Sequence, residues 1–189
     1  MGFRFMGVIC ITGLLLCVLN KARAQEGYHR LSLNDFRGDP RSDGDNAIAY
    51  THCSIDYRYH VMAENNHYNL SFDVKLILDR SQSWLDKKRV QSQRMLTDII
   101  KHEQGHYIIA YMEQQEILRI ANRTHFDANY QAEANAIFNR IHTKYEQLTV
   151  NYDTDTRHMQ DNVQQRSWDV YFKKRLAYMP PMEIADSGY

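Results

Sequence analysis

The sequence predicts an α+β fold: a small antiparallel sheet from the N-terminal half, followed by a helical half that carries the motif H-E-x-x-H on a helix. Three observations carry this. Apolar and polar residues alternate through two stretches between Ala47 and Leu78, which is the period of a half-buried strand. After Trp84 the apolar period becomes helical and stays so almost to the end. The first helical stretch contains His102-Glu103-Gln104-Gly105-His106, and strands followed by helices, without repeats or low-complexity linkers, describe one domain.

Taken in chain order, residues 1–24 form a targeting segment outside the fold. Arg4 supplies a positive start, Gly7 to Leu19 an apolar core, and Ala22-Arg23-Ala24 a cleavage signal before Gln25. The apolar run is shorter than the roughly 18 to 20 residues a spanning helix needs. A cleaved signal peptide and an exported chain are therefore expected, with no stable membrane insertion and one domain over residues 25–179. Cleavage removes Arg4, Lys21 and Arg23 and no acidic residue, so the net charge moves from zero to −3. Such a chain has no electrostatic footprint for nucleic acid, and Lys87-Lys88-Arg89 reads as a solvated helix start or loop. Cys10 and Cys17 leave with the leader, so Cys53 stands alone. No intramolecular disulfide is possible, and Cys53 falls on an apolar strand phase, where a buried small side chain is expected.

Leu31 and Leu33 suggest a short strand ahead of the Gly38-Asp39-Pro40 turn. From Ala47 to Val61 the odd positions, including Ala49, Thr51, Cys53, Ile55 and Tyr57, share an inward face, with His52, Ser54, Asp56, Arg58 and His60 opposite. Tyr68, Leu70, Phe72, Val74, Leu76 and Leu78 repeat the pattern beyond Glu64-Asn65-Asn66, which predicts a hairpin with one wet face. Three helices follow: about Gln91 to Asn122, about Ala128 to Leu148, and one starting near Thr154 or Asp155 and ended by Pro180-Pro181. The tail, residues 180–189, lacks periodicity and is expected to be disordered.

Side chains at i and i+4 stack on one helix face, so His102 and His106 can share a tetrahedral Zn2+. Glu103, one residue after the first ligand, is placed to take a proton from the attacking water. With 9 His in the chain a fortuitous match has to be weighed. The helical setting, with Leu96, Ile99, Ile100, Ile109 and Ile117 at matching spacings, is the one the chemistry requires. Gly105 costs a helix interior about 1 kcal/mol relative to Ala, which implies a close approach to the backbone there. The third ligand is left open by spacing. Glu113 is on the order of 10 Å beyond His106, and the H-x-x-G-x-x-H extension fails at Ile109 and Met112. Glu133, His125, Asp127 and Asp153 are the nearby donors.

The chain resembles the bacterial family catalogued as predicted secreted zinc-dependent proteases. The matching pieces are Asn34-Asp35-Phe36-Arg37-Gly38, Ser83-Trp84, His102-Glu103-Gln104-Gly105-His106-Tyr107, Tyr152-Asp153 with Thr156-Arg157-His158, and Gln165 with Trp168. Where that family usually has Gly after the downstream histidine, this chain has Met159. The resemblance implies a zincin-like helical half, His158 as third zinc ligand and a periplasmic or extracellular setting. Asp153 and Asp155 then become candidates to orient a ligand imidazole, and Tyr152 a candidate oxyanion donor.

The expected function is a secreted zinc metallopeptidase acting on a peptide or protein substrate. Zn2+ would be held by His102, His106 and His158, with Glu103 as general base. The reading from another class is an envelope binding or interaction protein whose metal site is structural or vestigial.

Overall fold

The computed structural model describes residues 28–41, 47–64 and 67–179. The predicted leader and tail lie outside the described residues, as does the Asn65-Asn66 hairpin tip. The fold is α+β as expected, with four strands among the described residues, β1 (Ala49–Tyr50), β2 (Cys53–Glu64), β3 (His67–Leu78) and β4 (Trp84–Leu85). Three helices follow, α1 (Gln93–Ala121), α2 (Tyr130–Thr156) and α3 (Asn162–Tyr178).

Instead of one sheet there are two antiparallel pairs, β1 with β4 and β2 with β3. The alternating stretch from Ala47 is broken at Thr51-His52, because the His52 backbone N–H turns aside to donate to Ser83 Oγ at 2.9 Å. Ser83 is fully buried. Its carbonyl also accepts from Gly38 N at 2.8 Å, and a Cβ on Gly38 would meet the Ser81 carbonyl at 2.6 Å, so only glycine allows this approach. The expected strand at Leu31 and Leu33 is absent. Leu33–Asp35 form a single 3-10 turn, drawn in by Asp35, whose buried carboxylate accepts from Ser32 N and Arg80 Nε at 2.8 Å and pairs with His29 at 3.0 Å. Burial alone would raise the Asp35 pKa, but these partners hold it below the usual range.

The predicted antiparallel hairpin forms as β2–β3, in a register that runs from Cys53 opposite Leu78 to Glu64 opposite His67. Its inward face rests on α1 and α2. Val74 is buried, Tyr57 stacks on Phe138 with ring centroids 3.4 Å apart, and Gln114 Nε2 donates to Val74 O at 2.9 Å. The burial fades toward the tip, where Val61 and Met62 are exposed.

Ser92 caps α1 by accepting from Met95 N at 3.1 Å. The helix runs 29 residues and carries Ile99, Ile108, Ile109, Met112 and Ile117 into the core, each such burial contributing about 1.5–3 kcal/mol. The second predicted helix is longer than expected. It continues past Leu148 to Thr156 because Tyr145, Tyr152 and Thr156 all bury there. The third therefore starts at Asn162 instead of Thr154 or Asp155, capped by Asp161, whose Oδ1 accepts from Val163 N and Gln164 N, each at 3.0 Å. No helix among the described residues is long and apolar enough to cross a membrane.

Candidate metal centre

One turn of α1 presents His102 and His106 side by side, their Nε2 atoms 3.3 Å apart. The last turns of α2 cross this point and bring Asp153 Oδ1 to 3.3 Å from His102 Nε2 and 3.1 Å from His106 Nε2. The three donor atoms lie within 4.8 Å of one another. Zinc ligand bonds of 2.0–2.2 Å in tetrahedral array place donors about 3.3 Å apart, so the separations fit. Asp153 Oδ1 is buried with no hydrogen-bond donor aligned on it, although two imidazoles are this close. Such an orphaned acceptor is a rarity that a cation would satisfy. Burial would raise the Asp153 pKa, but the two imidazoles hold it well below the usual carboxylate range. Burial would likewise lower that of His106, which Asp153 and Glu103 nevertheless keep above its ordinary value.

His102 is fixed from behind. Its Nδ1 lies 3.4 Å from Gln165 Oε1 and 3.5 Å from Thr156 Oγ1. An N–H donated from Nδ1 to the Gln165 carbonyl leaves the Nε2 lone pair facing Asp153 and His106. Tyr152 completes this wall: it is fully buried, stacks on the His102 ring at 4.7 Å, and donates to His102 O at 3.0 Å. A Cβ on Gly105 would overlap the Tyr152 hydroxyl and ring. The close approach expected at Gly105 is therefore made by this side chain, and the Tyr152 hydroxyl is engaged inside the wall.

A cleft of about 700 Å³ opens over the three donors, with Ala49 to Thr51 on one side, α1 as floor and α2 opposite. Glu103 lines it and is 4% exposed. Thr51 Oγ1 donates to Glu103 Oε2 at 2.7 Å, fixing one carboxylate oxygen while Oε1 is not engaged by that bond. His158 sits at the rim with a side chain 70% exposed and Nδ1 3.6 Å from Asp153 Oδ1. It does not join the cluster of mutually close donors. Asp127 and Glu133 are joined to each other at the start of α2, Asp127 N donating to Glu133 Oε2 at 3.3 Å, and neither they nor His125 line the cleft. Asp155 accepts from Trp168 Nε1 at 3.0 Å.

Thr51 and Gln165, like Thr156, had no role assigned in the sequence. Thr51 sat on the inward strand phase between Ala49 and Cys53, and a lone hydroxyl on an apolar phase needs a buried acceptor. Gln165 belonged to the resemblance, but no spacing links it to His102, 63 positions away.

A profile of bacterial proteins of unknown function, DUF922, matches residues 24–159, which include every residue of the cluster and Glu103. No curated protein and no solved structure matches the chain.

Proposed function

The chain belongs to the bacterial DUF922 family, whose function is unknown, and from that premise we propose that it is an exported zinc-dependent metallopeptidase. The observation that carries this reading is the convergence of His102 Nε2, His106 Nε2 and Asp153 Oδ1 in a cleft that Glu103 also lines. Two imidazoles and a carboxylate are a donor set suited to Zn2+. Asp153 takes the place that the resemblance gives to His158, since its oxygen meets both imidazoles while His158 stands at the rim.

When bound, zinc would supply Lewis acidity, lowering the pKa of a water toward about 7 and polarising a substrate carbonyl. Glu103 takes the proton from the attacking water and passes it to the leaving amine. Thr51 donates to Glu103 Oε2 at 2.7 Å, which restrains the carboxylate's rotation. Gln165 and Thr156 hold the His102 tautomer.

The test is zinc per chain by elemental mass spectrometry on untagged wild type, His102→Ala, Asp153→Ala and His158→Ala, paired with hydrolysis of a mixed peptide substrate. Near-stoichiometric zinc in wild type and His158→Ala, lost in the other two, is expected. Zinc lost in His158→Ala and kept in Asp153→Ala would return the third ligand to His158. No zinc in wild type after reconstitution would remove the metallopeptidase reading. Glu103→Gln should retain zinc and lose hydrolysis by about 10²–10⁴-fold.

A further inference from the structure

The β2–β3 hairpin has two outer edges, and the fold treats them differently. Asp79 N donates to His52 O at 3.0 Å, which continues the register of the pair and fixes its phase. His52 and the even residues of β2 face β3, so Ile55, Tyr57, Tyr59 and Val61 turn their N–H and C=O groups outward. On β3 the outward residues are their cross-strand neighbours, Val74 among them, and near the tip Tyr68. This edge is covered: Gln114 Nε2 donates to Val74 O at 2.9 Å, and Phe126 bridges to Tyr68. Among the described residues none bonds to an outward backbone group of β2. Burial changes in the same direction. Val74 is 2% exposed and Tyr57 opposite it 36%, so the helical cover thins toward β2.

Proteins blunt a bare edge with Pro, Lys, bulges or inward-pointing charges. The 12 residues of β2 include no Pro, Gly or Lys, and they pair with β3 one to one, without a bulge. Its charges instead complement a copy of the same strand. Asp56 and Arg58 flank Tyr57 on the wet face, with side chains 41% and 77% exposed. An antiparallel copy centred on Tyr57 sets Asp56 opposite Arg58 twice, Ile55 opposite Tyr59 and Ser54 opposite His60. The outward phase makes Tyr57 a hydrogen-bonded pair with itself. It leaves Asp56 and Arg58 in non-hydrogen-bonded pairs, where cross-strand side chains stand closest. Moving the centre by one residue sets Asp56 against Asp56 or Arg58 against Arg58, so the charges select one register.

We infer that the outer edge of β2 is the interface of a homodimer, in which two hairpins join through antiparallel β2 strands into one four-stranded sheet with a two-fold axis at Tyr57. The assembly closes at two copies, because each uses the bare edge of its hairpin and the far edges stay covered by α1 and Phe126. The extra strands give the hairpin support that two strands alone lack. The two-fold axis stands perpendicular to the sheet, so the helices of both copies lie on one face and the Asp56–Arg58 pairs on the other. No donor of the metal cluster takes part, and the inference is independent of the peptidase reading.

Sedimentation velocity over a concentration series decides it. The wild-type chain should pass from monomer to dimer and no further. Arg58→Asp and Asp56→Arg each set like charges opposite one another twice, and each should weaken dimerisation about tenfold or more. Mixed in equal amounts, these two variants should form a heterodimer at wild-type affinity, because every Asp again faces an Arg. Amide hydrogen exchange on the wild type should show the N–H groups of Ile55, Tyr57 and Tyr59 gaining protection as concentration rises. That reading needs no variant, so it stands if a reversal lowers the stability of the fold. A chain that stays monomeric, a dimer indifferent to both reversals, or variants that fail to pair when mixed would overturn the interface. Open-ended oligomers, or outward amides as unprotected in the dimer as in the monomer, would overturn it as well.

Discussion

Gly105 lies in mid-helix because the Tyr152 ring occupies the space its Cβ would need. Gly105→Ala should therefore cost about 3 kcal/mol through overpacking, lowering Tm by on the order of 10 °C. In a Tyr152→Leu background most of that penalty should vanish. A double-mutant cycle by thermal denaturation reads the coupling, and an equal cost in both backgrounds would refute this account of the glycine. Cys53 offers a second test at this scale. Burial, reinforced by the Glu103 charge, pushes its thiol up to about 12, so iodoacetamide at pH 8 should leave the folded chain unmodified and label it fully in denaturant. Because the folded pKa is raised above the unfolded value near 9, the associated stability is present below that value and lost as pH climbs from 9 toward 12. His102, Glu103 and His106 were legible in the sequence because their spacing is a property of one helix. Asp153 was legible only as one of several donors, since a contact between helices leaves no periodic trace.

The turn between α2 and α3 holds three successive non-glycine residues at positive φ, Arg157 at 50°, His158 at 50° and Met159 at 74°. Each such residue stores of order 1–3 kcal/mol unless its surroundings impose it. Met159 occupies the position where the resembling family carries Gly. Met159→Gly should therefore be tolerated within about 1 kcal/mol, backbone relief offsetting lost packing and added unfolded-state freedom. Met159→Ile should cost more, about 1–3 kcal/mol. Denaturant midpoints compare the two, and a Gly variant less stable than the Ile variant would contradict the strain argument. The same region explains why the second helix was read too short. Thr149, Val150, Thr154 and Asp155 are poor helix residues or good caps, and the burial of Tyr145, Tyr152 and Thr156 overrides them. The hairpin and its inward-facing residues, by contrast, were legible, because period two follows from one buried face. Its interruption at Thr51-His52 depends on Ser83, some thirty residues away, and was not.

For the molecule as a whole, the proposed metal centre would couple metal binding to folding. Without metal, the raised His106 pKa gives stability that is full below about 6.5 and lost as pH rises through its folded value. The depressed Asp153 carboxyl gives stability present above 3.8 and lost as pH falls below it. Zinc needs the same imidazoles neutral. Its stabilisation, about 2.7 kcal/mol at a hundredfold excess over Kd, should therefore be large at pH 7.5 and shrink toward pH 5.5. Differential scanning fluorimetry with zinc or EDTA across that range reads it, and a pH-independent gain would sink the assignment of these ligands. Glu103 lies about fifty positions from Thr51 and about fifty from Asp153 in the chain, so the centre is completed by long-range contacts, which carry the larger loop-closure cost in folding. A nascent α1 can present its imidazole pair early, but the carboxylate that closes the cluster and the hydroxyl that steers Glu103 arrive only when α2 and the β1 segment have docked. On the proposed hydrolase reading, folding would itself assemble the reactive centre, since a partly folded chain would hold the α1 imidazole pair without the Asp153 carboxylate or the Thr51 hydroxyl in place.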